Sequence, residues 1–355
     1  MKKLYLRIVL LCLICMHGMA QDPQFSQFYA APLYQNPAFT GGAYAPRLIA
    51  NYRNQWPSIN ANFVTSAFSI DHYIEKFNSG IGLLVVNDSQ GPGRLKSTDL
   101  SALYSYQLRL NEQNFLRLGI QGTYSNKSLD YLGLTFGDQY LNTGFTGNPS
   151  NDPFADKNNI QPIKFVDFST GALFYNSKSW LGVTLHHINR PVYSFLNTGS
   201  ATSVPGCPTG DCLPRKLSVS GGLKIPIANP YSGAANVERE FSVSPAFLYK
   251  RQGQFDQLDI GFYATYTPVT LGLWYRGIPI KRQGITRTNH DALVFLVGFR
   301  QDNFSIGYSY DITISSLGFS TGGSHEISIA YQLDPLERSS SRNRRNKKEL
   351  SCPKY

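Results

Sequence analysis

Residues 100–110 read LSALYSYQLRL. Leu100, Ala102, Tyr104, Tyr106, Leu108 and Leu110 fall on one face of an extended chain. Asp99, Ser101, Ser105, Gln107 and Arg109 fall on the other. Strict period-two alternation marks a strand with one apolar and one wet face, whereas a helix would scatter these residues around its circumference. The next segment repeats the pattern, with Leu116, Leu118, Ile120 and Tyr124 set against Arg117, Gly119, Gln121 and Thr123. It returns around Leu217–Leu223, Leu258–Tyr266, Phe304–Tyr310 and Ile327–Leu333.

Working outward from these, the chain divides into fourteen candidate strands: 47–56, 62–73, 79–87, 96–110, 114–127, 163–175, 179–188, 215–225, 239–250, 255–267, 269–277, 290–300, 303–311 and 324–333. No amphipathic helix interrupts the series. The connections decide what the strands build. Those leading from even to odd strands are mostly short (74–78, 111–113, 176–178, 267–268, 301–302), and only 228–239 is longer. Those leading from odd to even strands include 128–162, 189–214, 278–289 and 312–323. Short turns at one end and long loops at the other are the asymmetry of an outer-membrane barrel with both termini in the periplasm. A soluble sandwich has no reason to segregate loop lengths, and a propeller would show a blade repeat that is absent here. The expected fold is all-β: an antiparallel transmembrane β-barrel of fourteen strands over 47–335.

Composition agrees. Only 16% of the 355 residues are charged and 13% are aromatic, with a mean hydropathy of −0.24. That excludes disorder, which needs high charge and few aromatics. No run after residue 20 is long enough for a membrane-spanning helix.

Residues 1–20 carry Lys2, Lys3 and Arg7, an apolar run over Ile8–Met16, and small residues at Gly18 and Ala20. That is the layout of a secretory signal peptide, with cleavage expected before Gln21 and export to the outer membrane. The formal net charge of +10 resides mostly at the two ends. Three of its cations belong to the leader. The 336–355 tail holds seven more basic residues, from Arg338 to Lys354, against Glu337 and Glu349. Nucleic acid is therefore not an expected partner. The tail reads as a solvated terminus or as a contact for anionic lipid or a periplasmic partner.

Three cysteines follow the leader. Cys207 and Cys212 bracket a turn-rich PTGD and are candidates for a small disulfide loop in an oxidising compartment. Cys352 is left over. No catalytic constellation stands out: His186, His187 and Asn189 lie close together, but no nucleophile is distinguished among the many serines. No catalytic, cofactor or metal residue is assigned. Asp99, Arg109, Arg117, Lys216, Lys224, Lys250, Asp259, Arg276, Arg300, Asp311 and Glu326 are expected to face the lumen, where their charges pair with one another.

One segment does not fit a strand. Over 21–46, Pro23, Pro32 and Pro37 preclude a long helix or central strand. Yet Phe25, Phe28, Tyr29, Leu33, Tyr34 and Phe39 are too apolar to stand in water. This plug-like segment is expected to pack inside the barrel or across its periplasmic mouth.

The same segment carries a resemblance. DPQFSQFY at 22–29, LYQNPAFTG at 33–41, YRNQW at 52–56 and the terminal CPKY at 352–355 resemble the signatures of the PorP/SprF family. The resemblance implies a non-enzymatic outer-membrane component of the type IX secretion system, associated with gliding and with secretion or surface attachment of large adhesins. Its implied partners are an adhesin's C-terminal targeting domain, other secretion or gliding components including periplasmic-facing lipoproteins, and outer-membrane lipid. Asp22, Pro23, Gln24, Phe25, Ser26, Gln27, Asn36 and Pro37 are the motif positions that become candidates for facing a partner. The alternative is a transport channel for small or hydrophobic solutes, which would require the N-terminal segment to move.

Overall fold

A computed structural model describes residues 22–59, 62–91, 95–130, 134–141, 144–152, 155, 161–195, 212–228, 241–283, 287–315 and 318–333. The leader and the basic tail lie outside these. So does Cys207. The strands are β1 (Arg47–Gln55), β2 (Phe63–Ile74), β3 (Ser79–Gln90), β4 (Leu95–Arg109), β5 (Phe115–Ser128), β6 (Ile163–Tyr175) and β7 (Ser179–His186). There follow β8 (Lys216–Leu223, resuming as Ile225–Ala228), β9 (Phe241–Gln252), β10 (Phe255–Tyr266), β11 (Val269–Gln283), β12 (Arg287–Gln301), β13 (Phe304–Thr313) and β14 (Ser324–Gln332). Every neighbour is antiparallel, and β1 pairs β14 from Arg47↔Gln332 to Gln55↔Ser324. The ladder therefore closes into a fourteen-stranded barrel, which leaves no strand edge along the seam to seek another chain.

Alternation sorts the side chains as the sequence predicts. Along β4, Leu100, Tyr104, Tyr106 and Leu108 are exposed on the outer face, while Ser101, Ser105 and Gln107 are buried inside. Exposed Phe68, Leu83, Ile120, Phe168, Ile260, Leu271, Phe295 and Ile329 continue the apolar belt around the barrel. Such a surface is stable only against hydrocarbon, and a closed barrel satisfies the backbone there without water.

Four details differ from expectation. β7 stops at His186 because His187 adopts φ +57°, a left-handed conformation that ends the ladder. β8 breaks at Lys224, ahead of a register shift between Pro226 and Ala228. β11 and β12 run past the apolar alternation into a polar hairpin that ends at Gln283 and begins again at Arg287. Finally, the long loop after β5 carries a short ribbon, Tyr140–Leu141 paired with Gly144–Phe145.

The core of this molecule lies inside the barrel. Phe25, Phe28, Leu33, Ala38 and Phe39 of the N-terminal segment are all buried against the wall. Phe28 meets Trp274 edge-on at 5.1 Å between ring centroids, and Tyr29 meets Tyr263 at 4.4 Å. Burying a side chain of this size contributes roughly 1.5–3 kcal/mol. Hydrophobic burial thus holds a proline-rich segment whose own backbone bonding is confined to turns, among them an α-turn at Pro32–Gln35 and a 3₁₀ turn at Pro37–Phe39.

Candidate functional site

The segment from Asp22 to Pro46 runs the length of the lumen. Gly41 meets the start of β3, at the short-turn end, and Asp22 lies beside His187 and Lys216, at the long-loop end. Four sets of contacts fix it.

At the short-turn end the wall supplies cations and missing side chains. Arg117 is fully buried and donates to the carbonyls of Thr40 (3.0 Å) and Gly41 (3.3 Å) and to Gln107 Oε1 (2.7 Å). The rings of Tyr44 and Tyr73 lie against its guanidinium at 5.4 and 5.2 Å. Asp71, bridged to Arg47 at 3.0 Å, accepts the Gly41 N–H at 2.7 Å. Between them the segment presses on glycines of the wall, with its backbone at Gly80 and Gly119 and with the Asn36 side chain at Gly171. A Cβ at Gly80 would lie 2.2 Å from Thr40 O, one at Gly119 2.3 Å from Ala38 N, and one at Gly171 2.0 Å from Asn36 Oδ1. No side chain fits there, so these glycines form a groove shaped to the segment.

Midway, Asn36 caps the 3₁₀ turn by accepting the Ala38 N–H at 2.8 Å, and its amide donates to Ala172 O (3.2 Å) and Val183 O (3.4 Å). Pro37 occupies the first position of that turn, where a missing N–H costs nothing.

Nearer the long-loop end lies a buried ionic network. Arg53 contacts Asp311 at 2.9 Å and Glu326 at 3.2 Å. Arg276 contacts Asp311 at 2.9 Å and Asp259 at 3.3 Å. Ser26 sits at the centre: its hydroxyl donates to Asp311 (2.6 Å) and accepts from Arg53 (2.6 Å) and Arg276 (2.7 Å). Glu326 accepts the backbone N–H of Ser26 (2.7 Å) and of Gln27 (3.0 Å), and Gln27 also bonds Ser309 and Ser328. Charges this deep survive only because each is paired and hydrogen-bonded.

Asp22 closes the series. Its carboxylate lies 2.6 Å from Lys216 Nζ and 2.8 Å from His187 Nε2, and His187 Nδ1 lies 2.9 Å from Asp167. Burial pushes the Asp22 carboxyl up, but the charges of His187 and Lys216 outweigh it and hold it well below the usual range. Burial disfavours the charged imidazole of His187, yet the two carboxylates prevail and raise it to about 9.

Of the motif residues singled out from the sequence, Phe25, Ser26, Gln27, Asn36 and Pro37 are buried among residues of this chain. Asp22, Pro23 and Gln24 line a cavity at the long-loop end. Of the predicted lumen charges, Arg117, Lys216, Asp259, Arg276, Asp311 and Glu326 are buried, whereas Asp99, Lys224, Lys250 and Arg300 are half-buried. Arg109 is exposed as the last residue of β4, its Nε 3.3 Å from Asn111 O, and lies at the short-turn rim rather than within the lumen. Arg53, Asp71, Asp88 and Asp167 are buried as well, beyond the lumen charges expected from the sequence. The alternation of Asn51, Arg53 and Gln55 around Tyr52 offered a weak signal for the first. Cys212 is disulfide-bonded. Among the described residues no group of three or more His, Cys, Asp or Glu is arranged to hold a metal ion.

No curated protein matches the chain at a significant level. Several solved structures resemble it in shape. The toluene transporter TbuX of Ralstonia pickettii is 11% identical over 85% of this chain and 93% of that one, with a TM-score of 0.47. The toluene transporter TodX of P. putida is 10% identical over 86% and 94%, with a TM-score of 0.43. The outer membrane protein Omp33 of Acinetobacter baumannii is 5% identical over 82% and 98%, with a TM-score of 0.40. Likenesses so distant say nothing of function, and the fold rests on the closed ladder itself. A family model described as "Type IX secretion system membrane protein PorP/SprF" matches residues 18–331, nearly the whole barrel with its lumenal segment. The chain belongs to the PorP/SprF family of type IX secretion system membrane proteins.

Proposed function

We propose that the protein is a non-enzymatic outer-membrane anchor, which attaches a large secreted adhesin of the gliding type to the cell surface by binding its C-terminal targeting domain. Its long-loop end faces outward and its short-turn end faces periplasmic secretion or gliding components. The observation that carries this reading is the seated N-terminal segment. Residues 22–46 fill the lumen, and Arg117, Asp71, Asn36 and the Arg53–Glu326 network bond them to the wall on several sides. A solute channel would need that segment to leave, breaking charge-assisted hydrogen bonds worth roughly 1.5–3 kcal/mol each. An anchor needs no such movement. It needs a rigid scaffold with an outward-facing surface, and ligand sites on rigid elements are the better positioned.

An affinity pull-down of the full chain from gently solubilised outer membranes, with bound proteins identified by mass spectrometry, tests the proposal. A large secreted protein bearing a C-terminal targeting domain, or secretion-system lipoproteins, are expected with the barrel. Recovery of the barrel alone from membranes that contain those proteins would favour the channel. Deleting residues 21–42 opens the lumen on either reading, so the partner decides: an anchor loses the secreted protein from the cell surface, and its continued attachment would weigh against anchoring.

A further inference from the structure

At the long-loop end the lumen holds a cavity of about 720 Å³, floored by Asp22, Pro23, Gln24 and Phe25. Because the segment below is bonded to the wall, this is a blind socket, not a passage. Its lining is rich in carboxamides contributed by separate elements: Gln55 from β1, Gln252 from β9, Gln257 from β10 and Asn289 from β12, with Gln254 on the β9–β10 turn. A carboxamide both donates and accepts, as a peptide group does.

One further observation points to a ligand. Trp56, at the rim, holds φ +58°, a left-handed conformation that a bulky aromatic residue rarely adopts, and is kept there by its N–H bond to Gly323 O at 2.8 Å. Backbone strain of this kind gathers at ligand clamps.

The charges at the cavity are already opposed. Lys216 is neutralised by Asp22, Lys250 lies 3.1 Å from Gln24 Oε1 and 3.9 Å from Asp259, and Asp291 lies 4.0 Å from Arg276. The ligand is therefore polar but carries no large fixed charge. The socket also shows how it reads a chain: Gln252 Oε1 accepts the backbone N–H of Asp22 at 3.1 Å. Lower in the lumen Glu326, Asp71, Asn51 and Arg117 grip main-chain groups in the same way.

We propose that this socket receives an extended polypeptide segment of the secreted partner, bound through its main-chain amides by the carboxamides and packed against Trp56. The proposal rests on the anchoring reading and locates the contact.

The test is a photo-crosslinking pair in cells, using the full chain with benzoylphenylalanine at Gln254 or, as control, at Leu141 on the exposed loop ribbon. Heat-dependent gel migration shows that both variants fold. Adducts are digested and sequenced by mass spectrometry, and co-purification is scored in parallel. A peptide of the secreted partner is expected on position 254 at ten times or more its level on position 141. If the partner co-purifies but crosslinks equally or better at 141, the socket is wrong and the anchor stands. A glycan or lipid adduct at 254 in place of a peptide overturns the ligand class. If the partner neither crosslinks nor co-purifies, the anchoring reading falls, and the socket with it.

Discussion

Replacing Gly119 by alanine should unseat the N-terminal segment, and the same change at Gly122 should not. The two glycines lie on one strand, β5, three residues apart. At Gly119 the new methyl would lie 2.3 Å from Ala38 N, 2.4 Å from the Pro37 carbonyl carbon and 2.7 Å from Ala38 Cα, all backbone atoms. At Gly122 the nearest atom within reach is a Phe168 ring carbon at 3.8 Å. Relief at Gly119 requires the segment to retreat by about 1 Å, and overpacking of this kind costs about 1–3 kcal/mol. The retreat also lengthens the bonds from Arg117 and Ser105 to Thr40 O, now 3.0 and 2.7 Å. A hydrogen bond to a charged group is worth about 1.5–3 kcal/mol, so weakening these brings the total to about 2–4 kcal/mol. That corresponds to a roughly 30- to 700-fold rise in the unseated population. Hydrogen exchange of peptides covering 28–42, with single-channel conductance in planar bilayers, reads this directly. Gly119→Ala should exchange faster and conduct in bursts, and Gly122→Ala should match the parent. If Gly119→Ala protects those amides as the parent does, the groove does not hold the segment.

Three more outcomes follow from the same contacts. Arg53→Ala leaves Glu326 buried without its ion-pair partner and deprives Asp311 of one of its two. It should cost about 3–5 kcal/mol, seen as a lower temperature of gel-mobility shift, whereas Ser26→Ala should cost about 1–2 kcal/mol. Because the His187 value is raised to about 9, its contribution to seating is complete below its ordinary value near 6.5 and is lost as pH rises through about 9. The lowered Asp22 value acts in the opposite sense, its contribution being lost as pH falls below the usual carboxylate range. Exchange of the 22–29 peptide should therefore accelerate above about pH 9, and His187→Gln should remove that upper limb. Lastly, alkylation of the intact protein should leave the peptide spanning Cys207 and Cys212 unmodified until reductant is added. Labelling of either cysteine without reductant would show that the two are not bridged to each other.

The barrel was legible because the bilayer imposes a rule on every strand: outward residues must be apolar, whatever their neighbours. Each strand therefore declares itself locally, as 100–110 does. The ends were less legible, since conformational exceptions such as the left-handed His187 follow from tertiary contact with Asp22 and Asp167 rather than from local pattern. The burial of 21–46 could be inferred from aromatics among prolines, but its bonding could not. Ser26 meets residues 27, 250 and 285 positions away, and although alternation turns Gly119 inward and Gly122 outward, nothing local shows that Gly119 meets the segment. The strain at Trp56 likewise appears only in three dimensions.

The direction of the lumenal segment governs how the protein can be assembled and handled. Pro46 joins β1 at the short-turn mouth, while Asp22 lies at the opposite end, so a ring that closes first must be entered free end first, like thread through a needle's eye. A thread can pass a closed ring without knotting, provided nothing broad is tied to its tip. Whatever precedes Asp22 must then travel the same route. A folded tag fused to the N-terminal side would stop at the mouth and leave the lumen unfilled, with the barrel strands still able to close. The same tag after β14, whose end shares the short-turn rim with the start of β1, never meets the eye at all.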